Sequence, residues 1–163
     1  MERLFESPNF IFDQLNEQTW VHFIEVQRSN HYYWSFFNDD AKFNTHRFLR
    51  TWREYGSMMI GVTRKSDGFP IGMIDTIPVH PKYGIPHISL LTIHARYHGH
   101  GYGQKALHLF ISFMEWKRVG IHVLAINTPA MKFWKQQGFQ TISSEYVKTC
   151  KGMQELIHME KEF

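Results

Sequence analysis

A chain of 163 residues, 43% of them hydrophobic, is long enough to bury a core and has the size of one domain, residues 1–163. Lys and Arg exceed Asp and Glu only by 18 to 15, and no basic run gathers that excess, so the charge reads as a solvated surface and excludes the marked footprint of a nucleic-acid binder. The single Cys150 cannot close an internal disulfide, the start has no signal-like core, and no stretch is apolar for the roughly 18 residues of a membrane helix, so the expectation is a cytoplasmic protein without a bilayer span.

In chain order, Asn9 to Asp13 predicts a short strand. Asn16 to Arg28 predicts a helix, with Asn16 as its N-cap and Trp20, Phe23 and Ile24 at i, i+3, i+4. Ser29 to Phe43 is crowded with aromatic residues. Thr45 to Tyr55 returns to helical spacing through Phe48, Leu49 and Trp52, and Gly56 is placed to end it. From Ser57 the period changes. Ser57–Arg64 and Phe69–Ile77 flank Lys65-Ser66-Asp67-Gly68, and an Asp-Gly pair favours a hairpin because glycine accepts positive φ.

Pro78, Pro81 and Pro86 punctuate a loop that delivers the chain to the apolar strand His87–Ile93. Gly101 to Arg118 carries Leu107, Phe110, Ile111 and Met114 on one stripe and predicts a long amphipathic helix closed by Gly120. Ile121–Asn127 predicts a buried strand, Pro129 and Gly138 bound a further helix, and Thr141–Lys148 and Met153–Phe163 predict two closing strands.

Chemistry concentrates between the strand His87–Ile93 and the helix after it, at His98-Gly99-His100-Gly101-Tyr102-Gly103 followed by Gln104 and Lys105. Alternating glycines let the backbone approach a ligand, so that successive N–H groups and a helix N-terminus converge on a phosphate. The Walker pattern fails because no Gly-Lys-Ser/Thr is present. Gly101, Gly103 and Ala106 match the loose dinucleotide pattern, but the acidic residue it requires at the end of the next strand is missing from Ile121–Asn127.

In this register the turn resembles the R/Q-x-x-G-x-G/A motif of the GNAT superfamily of acetyl-CoA-dependent N-acetyltransferases, with His98 at the R/Q position and Gly101 and Gly103 as the small residues. About thirty residues on, Asn127-x-x-Ala130-x-x-Phe133-Trp134-x-x-x-Gly138-Phe139 resembles the second motif of that family. The resemblance covers nearly the whole chain. It implies a mixed, mostly antiparallel α/β fold, with a sheet of six to seven strands, about four helices, and a splay between the fourth and fifth strands of the family's scheme.

The same resemblance implies that acetyl-CoA, as co-substrate, lays its pantetheine arm in the splay. Backbone groups of Leu91, Thr92 and Ile93 would receive it, and the Asn127 side-chain amide would assist from the next strand. The pyrophosphate would sit on His98, Gly99, His100, Gly101, Tyr102, Gly103 and Gln104, and Ala130, Phe133 and Trp134 would wall the thioester. An N–H at Ile93 or its neighbour would stabilise the oxyanion.

The chain departs from the pattern at two positions. His98 supplies no permanent guanidinium, and Trp134 stands where many members use a tyrosine to protonate the leaving thiolate, which an indole N–H cannot do; Tyr146 is an alternative donor. For the base, His87 occupies the position of a glutamate found in the histone-acetylating branch. Strand alternation places Ser89 on the same face as His87, and Asp75 is a further candidate.

His94, His98 and His100 fall inside the phosphate turn without a cysteine or carboxylate beside them, so no metal is expected. Cys150 reads as a small apolar filler. Tyr32, Tyr33, Trp34, Phe36 and Phe37, with Asp39 and Asp40, border the acceptor region and suit a cationic amine. The expected partners are acetyl-CoA and an amine acceptor, with no nucleic acid and no membrane, and the sequence is compatible with a homodimer. Two other readings are a regulatory acetyl-CoA-binding module with little turnover and a small basic nucleic-acid-binding protein.

Overall fold

The computed structural model describes residues 1–163, except for the side chains of residues 51 and 53–55. Strands β1 (Glu2–Glu6) and β2 (Phe10–Gln14) come first, followed by a 3-10 turn over Trp20–Phe23 and the helices α1 (Ile24–Arg28), α2 (His31–Trp34) and α3 (Thr45–Tyr55). Then come β3 (Met58–Arg64), β4 (Pro70–Ile77), β5 (His87–Ile93), a 3-10 turn over Ala95–Tyr97, α4 (Tyr102–Met114), β6 (Arg118–Leu124), α5 (Thr128–Gln136), β7 (Gln140–Thr149) and β8 (Gly152–Glu162). The strands form one sheet in the order β1-β2-β3-β4-β5-β6-β8-β7, antiparallel throughout except between β5 and β6.

The sheet is mixed and mostly antiparallel, as expected, but has eight strands. The extra one is β1, whose sequence ERLFE is too polar to announce a strand; Phe5 anchors it by stacking on Phe12 and Phe113, each at 4.2 Å. The expected first helix is divided into the 3-10 turn and α1, because Asn16 spends its Oδ1 on the amides of Gln18 and Thr19 and turns the chain before the helix begins. Helix α4 stops at Met114, with Glu115 left-handed at φ 54°, so Gly120 is not its cap but a residue inside β6. Gly56 does cap α3, at φ 57°.

Successive strand residues point to opposite faces and build two cores. Ile60 and Ile74 join Ala106, Leu107 and Phe110 of α4 and Trp134 of α5 on one face. Met59 and Met73 face Trp20, Phe23, Val26, Trp34 and Phe48 on the other. Between these layers β5 and β6 keep only the register pairs His87↔Gly120 and Ile88↔Ile121, then diverge toward their C-terminal ends.

Candidate active site

The divergence of β5 from β6 opens a cleft of about 700 Å³. One wall is Leu91, Thr92 and Ile93 of β5. The amide of His94 donates to the Ile71 carbonyl at 2.8 Å, which fixes the alternation of the β4–β5 ladder: Leu90 and Thr92 direct their backbone groups to β4, and Leu91 and Ile93 direct theirs into the gap. The Ile93 carbonyl is already taken by Asn30 Nδ2 at 3.0 Å and His98 Nε2 at 2.8 Å. The remaining groups on that edge, with no β6 opposite, can accept an extended ligand as a sheet accepts a strand.

The turn at the mouth of the cleft matches an anion site. Gly99 and Gly101 have φ of 79° and 74°, and Gly101 precedes α4, whose first turn holds no acidic residue and whose first internal amide bond is that of Lys105. The amides of Tyr102, Gly103 and Gln104 are thus free of intrahelical partners, and all three residues line the cleft together with His98, Gly99 and Gly101. His100 lies outside the lining, its Nδ1 bonding the His98 carbonyl at 3.0 Å, and so shapes the turn. His98 itself pins the turn back onto β5 through Ile93. Arg64 bridges the hydroxyls of Tyr97 (3.1 Å) and Tyr102 (3.2 Å) from behind, while Asp67 pairs with it.

The opposite wall is α5. Asn127 caps it, Oδ1 accepting the Ala130 amide at 3.3 Å, which leaves Nδ2 as its free donor. Ala130, Phe133 and the buried Trp134 line the cleft with it. Asn30, Tyr32, Tyr33, Tyr97 and Gln137 also line it. Tyr32 and Tyr33 belong to the aromatic segment the sequence marks, whereas Asn30 and Gln137 carry no sequence signal: each is a common residue made relevant only by the chain crossing that brings it here.

Of the expected catalytic residues none lines the cleft. Asp75 comes nearest in chemistry. It is the register partner of Leu90, 7% exposed, and burial pushes its carboxyl up to about 7 against the opposing hydrogen bond from Ser57. The cleft-lining Tyr33 feels that charge, since burial first and Asp75 second push its phenol up to about 12.

His87 is 2% exposed, packed among His80, Tyr83, His122 and His158 at the closed end of the splay. Burial, then the neighbouring histidines, hold it down to about 2. A base must reach the proton it takes, so this placement corrects the expectation for His87. The expected relay with Ser89 is also corrected: Asp75 pairs with Leu90 and Thr76 with Ile88, so Ser89 is an unpaired bulge residue exposed to solvent, whereas His87 is buried. Tyr146 is 70% exposed on the outer strand β7, away from any leaving thiolate. Cys150 is exposed rather than a filler, its thiol 3.5 Å from the Ser35 carbonyl. Among the described residues no helix is long and apolar enough to cross a membrane.

Comparison with known proteins bears on the family and the fold. The model of the acetyltransferase (GNAT) family matches residues 14–139. No protein of curated function matches. Among solved structures, a GCN5-related N-acetyltransferase from Kribbella flavida superposes with a TM-score of 0.67 at 18% identity, covering 94% of this chain and 98% of its own. The ribosomal-protein-S5-alanine acetyltransferase of Vibrio fischeri gives 0.70 at 14% identity, covering 97% and 95%. A GCN5-related N-acetyltransferase from Brucella melitensis gives 0.75 at 14% identity, covering 99% of this chain and 79% of its own.

Proposed function

The chain belongs to the GNAT acetyltransferase family, and from that premise we propose that it transfers the acetyl group of acetyl-CoA to a primary amine by direct attack. The observation that carries this reading is the coincidence of an open strand edge on β5 with the glycine turn at the start of α4, along one continuous cleft. An extended arm ending in a pyrophosphate matches both features at once, and a free nucleotide or a carboxylate would use only one of them.

In the transfer, the amine nitrogen attacks the thioester carbon, the C–S bond breaks, sulfur leaves as thiolate and the amine gives up one proton. Leu91 and Ile93 hold the arm, Gly101 to Gln104 hold the phosphates, and Phe133 with Trp134 exclude water from the thioester. An amine of lysine type has a pKa of about 10.4 and needs a proton acceptor. Asp75 fits that role by way of Tyr33, since its carboxyl titrates near neutrality, its charge reaches the Tyr33 phenol, and Tyr33 lines the cleft.

Released thiol is to be measured with acetyl-CoA against a panel of protein N-termini, lysine peptides, polyamines and amino-sugar antibiotics. Turnover with one acceptor class supports the reading and names the substrate. Tight acetyl-CoA binding with no turnover on any class would assign a regulatory module instead, and absence of acetyl-CoA binding would overturn the cofactor assignment.

A further inference from the structure

A second group of chemistry-bearing residues lies at the closed end of the splay, where β5 and β6 still pair. The register assembles it. His122 of β6 stands directly opposite His158 of β8, and His87 of β5 is paired with Gly120 of β6, two residues from His122 and therefore on the same face. One coordinating nitrogen from each of His87, His122 and His158 lies within 4.8 Å of the others. Gly120 makes the room, because a Cβ there would stand 2.8 Å from His87 Nδ1 and 3.1 Å from His158 Cε1.

The hydrogen bonds leave lone pairs turned inward. His158 Nε2 meets Glu160 Oε1 at 2.8 Å, and Arg118 Nε holds Glu160 at 2.7 Å. With the Nε2–H given to the carboxylate, His158 Nδ1 carries the lone pair, buried and without a hydrogen-bond partner among the described residues. Among the described residues neither ring nitrogen of His87 has a partner. His122 Nε2 is 3.1 Å from the Tyr83 hydroxyl, and the Tyr83 ring lies flat on His158 at 3.9 Å, covering the group. Buried ring nitrogens are ordinarily paired, so the lone pair on His158 Nδ1 and the one on neutral His87, on two adjacent rings, call for a partner that accepts lone pairs. A carboxylate that orients a histidine from its far nitrogen is the usual support of a ligating imidazole.

We propose that His87, His122 and His158 bind one Zn²⁺ ion, which clamps β5, β6 and β8 at the base of the splay. Three imidazoles without a thiolate suit a borderline divalent ion and not Mg²⁺ or Ca²⁺. With Zn–N bonds of about 2.0–2.1 Å the nitrogens of a tetrahedral site lie roughly 3.4 Å apart, so binding draws the rings inward by about an ångström. The fourth position falls to water or to His80, whose ring is 4.7 Å from that of His87 and whose Nδ1 accepts the Lys82 amide, leaving Nε2. This site is independent of the acetyl-transfer reading.

The test uses the full chain without an affinity tag, stripped of metal, titrated with Zn²⁺ against a chromophoric chelator and with Co²⁺ by visible absorption. The expected result is one equivalent bound and a Co²⁺ spectrum of four-coordinate intensity. Affinity should fall by about 100-fold or more in His122→Ala and His158→Ala, and by about 10–100-fold in Glu160→Gln, which keeps every ligand and removes only the orienting charge. His94→Ala and His100→Ala, outside the group, should bind as wild type does. If the alanine variants at 122 and 158 lose their circular dichroism, Glu160→Gln and Gly120→Ala decide. Binding below one equivalent, or full affinity retained in both of those variants, overturns the proposal, as does an equal loss in His100→Ala.

Discussion

Gly101 and Gly103 read alike in the motif but differ physically. Gly101 sits at φ 74° with open space where a Cβ would be, while Gly103 is helical and its Cβ would make ordinary contacts of 3.5 Å to Phe133 and 3.6 Å to Ile93. An L-residue at the first position is strained by about 1–2 kcal/mol, and one at the second is not. Gly101→Ala should weaken acetyl-CoA about tenfold, the equivalent of 1.4 kcal/mol, and Gly103→Ala should leave it nearly unchanged by calorimetry; equal losses would refute the distinction. Asp75 gives a second test with a sign. Its carboxyl is raised from 3.8 to about 7 in the fold, so the native state binds more protons than the unfolded chain across that interval, and stability falls as pH rises through it, by about 4 kcal/mol at full effect. Asp75→Asn should abolish that decline in Tm between pH 5 and 8, and should also remove a rise of kcat/KM centred near pH 7. An acid on a strand was legible as a candidate. That burial would tune it, and that its charge would reach Tyr33, depended on the packing of α2 over the sheet.

At the scale of elements, what could be read from the sequence was what local chemistry decides: the Asp-Gly hairpin, the α4 stripe, the Pro129 start and Gly138 end of α5, and the Gly56 cap. What could not be read is set by pairing partners far along the chain. The Ser89 bulge leaves no residue signature, yet it shifts every later side chain of β5 to the other face and leaves Ser89 in solvent while His87 is buried, which strict alternation does not foresee. Gly120 looked like a helix terminator because its packing role against His87 and His158 needs three strands to exist first. The start of α5 separates two duties of one residue. Asn127 caps the helix through Oδ1 and keeps Nδ2 for the ligand. Asn127→Asp preserves a capping oxygen and deletes the donor, so its Tm should stay near wild type while acetyl-CoA affinity drops. Asn127→Ala should lose about 1 kcal/mol of stability as well. A loss of affinity in the alanine variant alone would mean that Asn127 acts only as a cap.

For the whole molecule, the sheet is two blocks, β1 to β5 and β6 to β8, joined by two register pairs at their base and by the helices that pack across them. Above that base the blocks face each other across a gap, so an extended ligand lying along β5 supplies the contacts that a missing strand would have made. This predicts a cofactor that binds as structure. At 100 times its Kd, acetyl-CoA should stabilise the native state by about 2.7 kcal/mol, a rise in Tm of about 5–10 °C for a chain of this length. Hydrogen exchange should show where the stabilisation resides: the amides of Leu91 and Ile93, turned into the gap, should become protected, together with those of Tyr102, Gly103 and Gln104 at the phosphate turn. ADP carries the pyrophosphate without the pantetheine arm, so it should protect the turn amides, leave Leu91 and Ile93 exchanging as in the free protein, and raise Tm less. Protection of Leu91 and Ile93 by ADP, or protection by acetyl-CoA confined to the turn, would show that the arm does not lie along β5 and that the two blocks are held together by the protein alone.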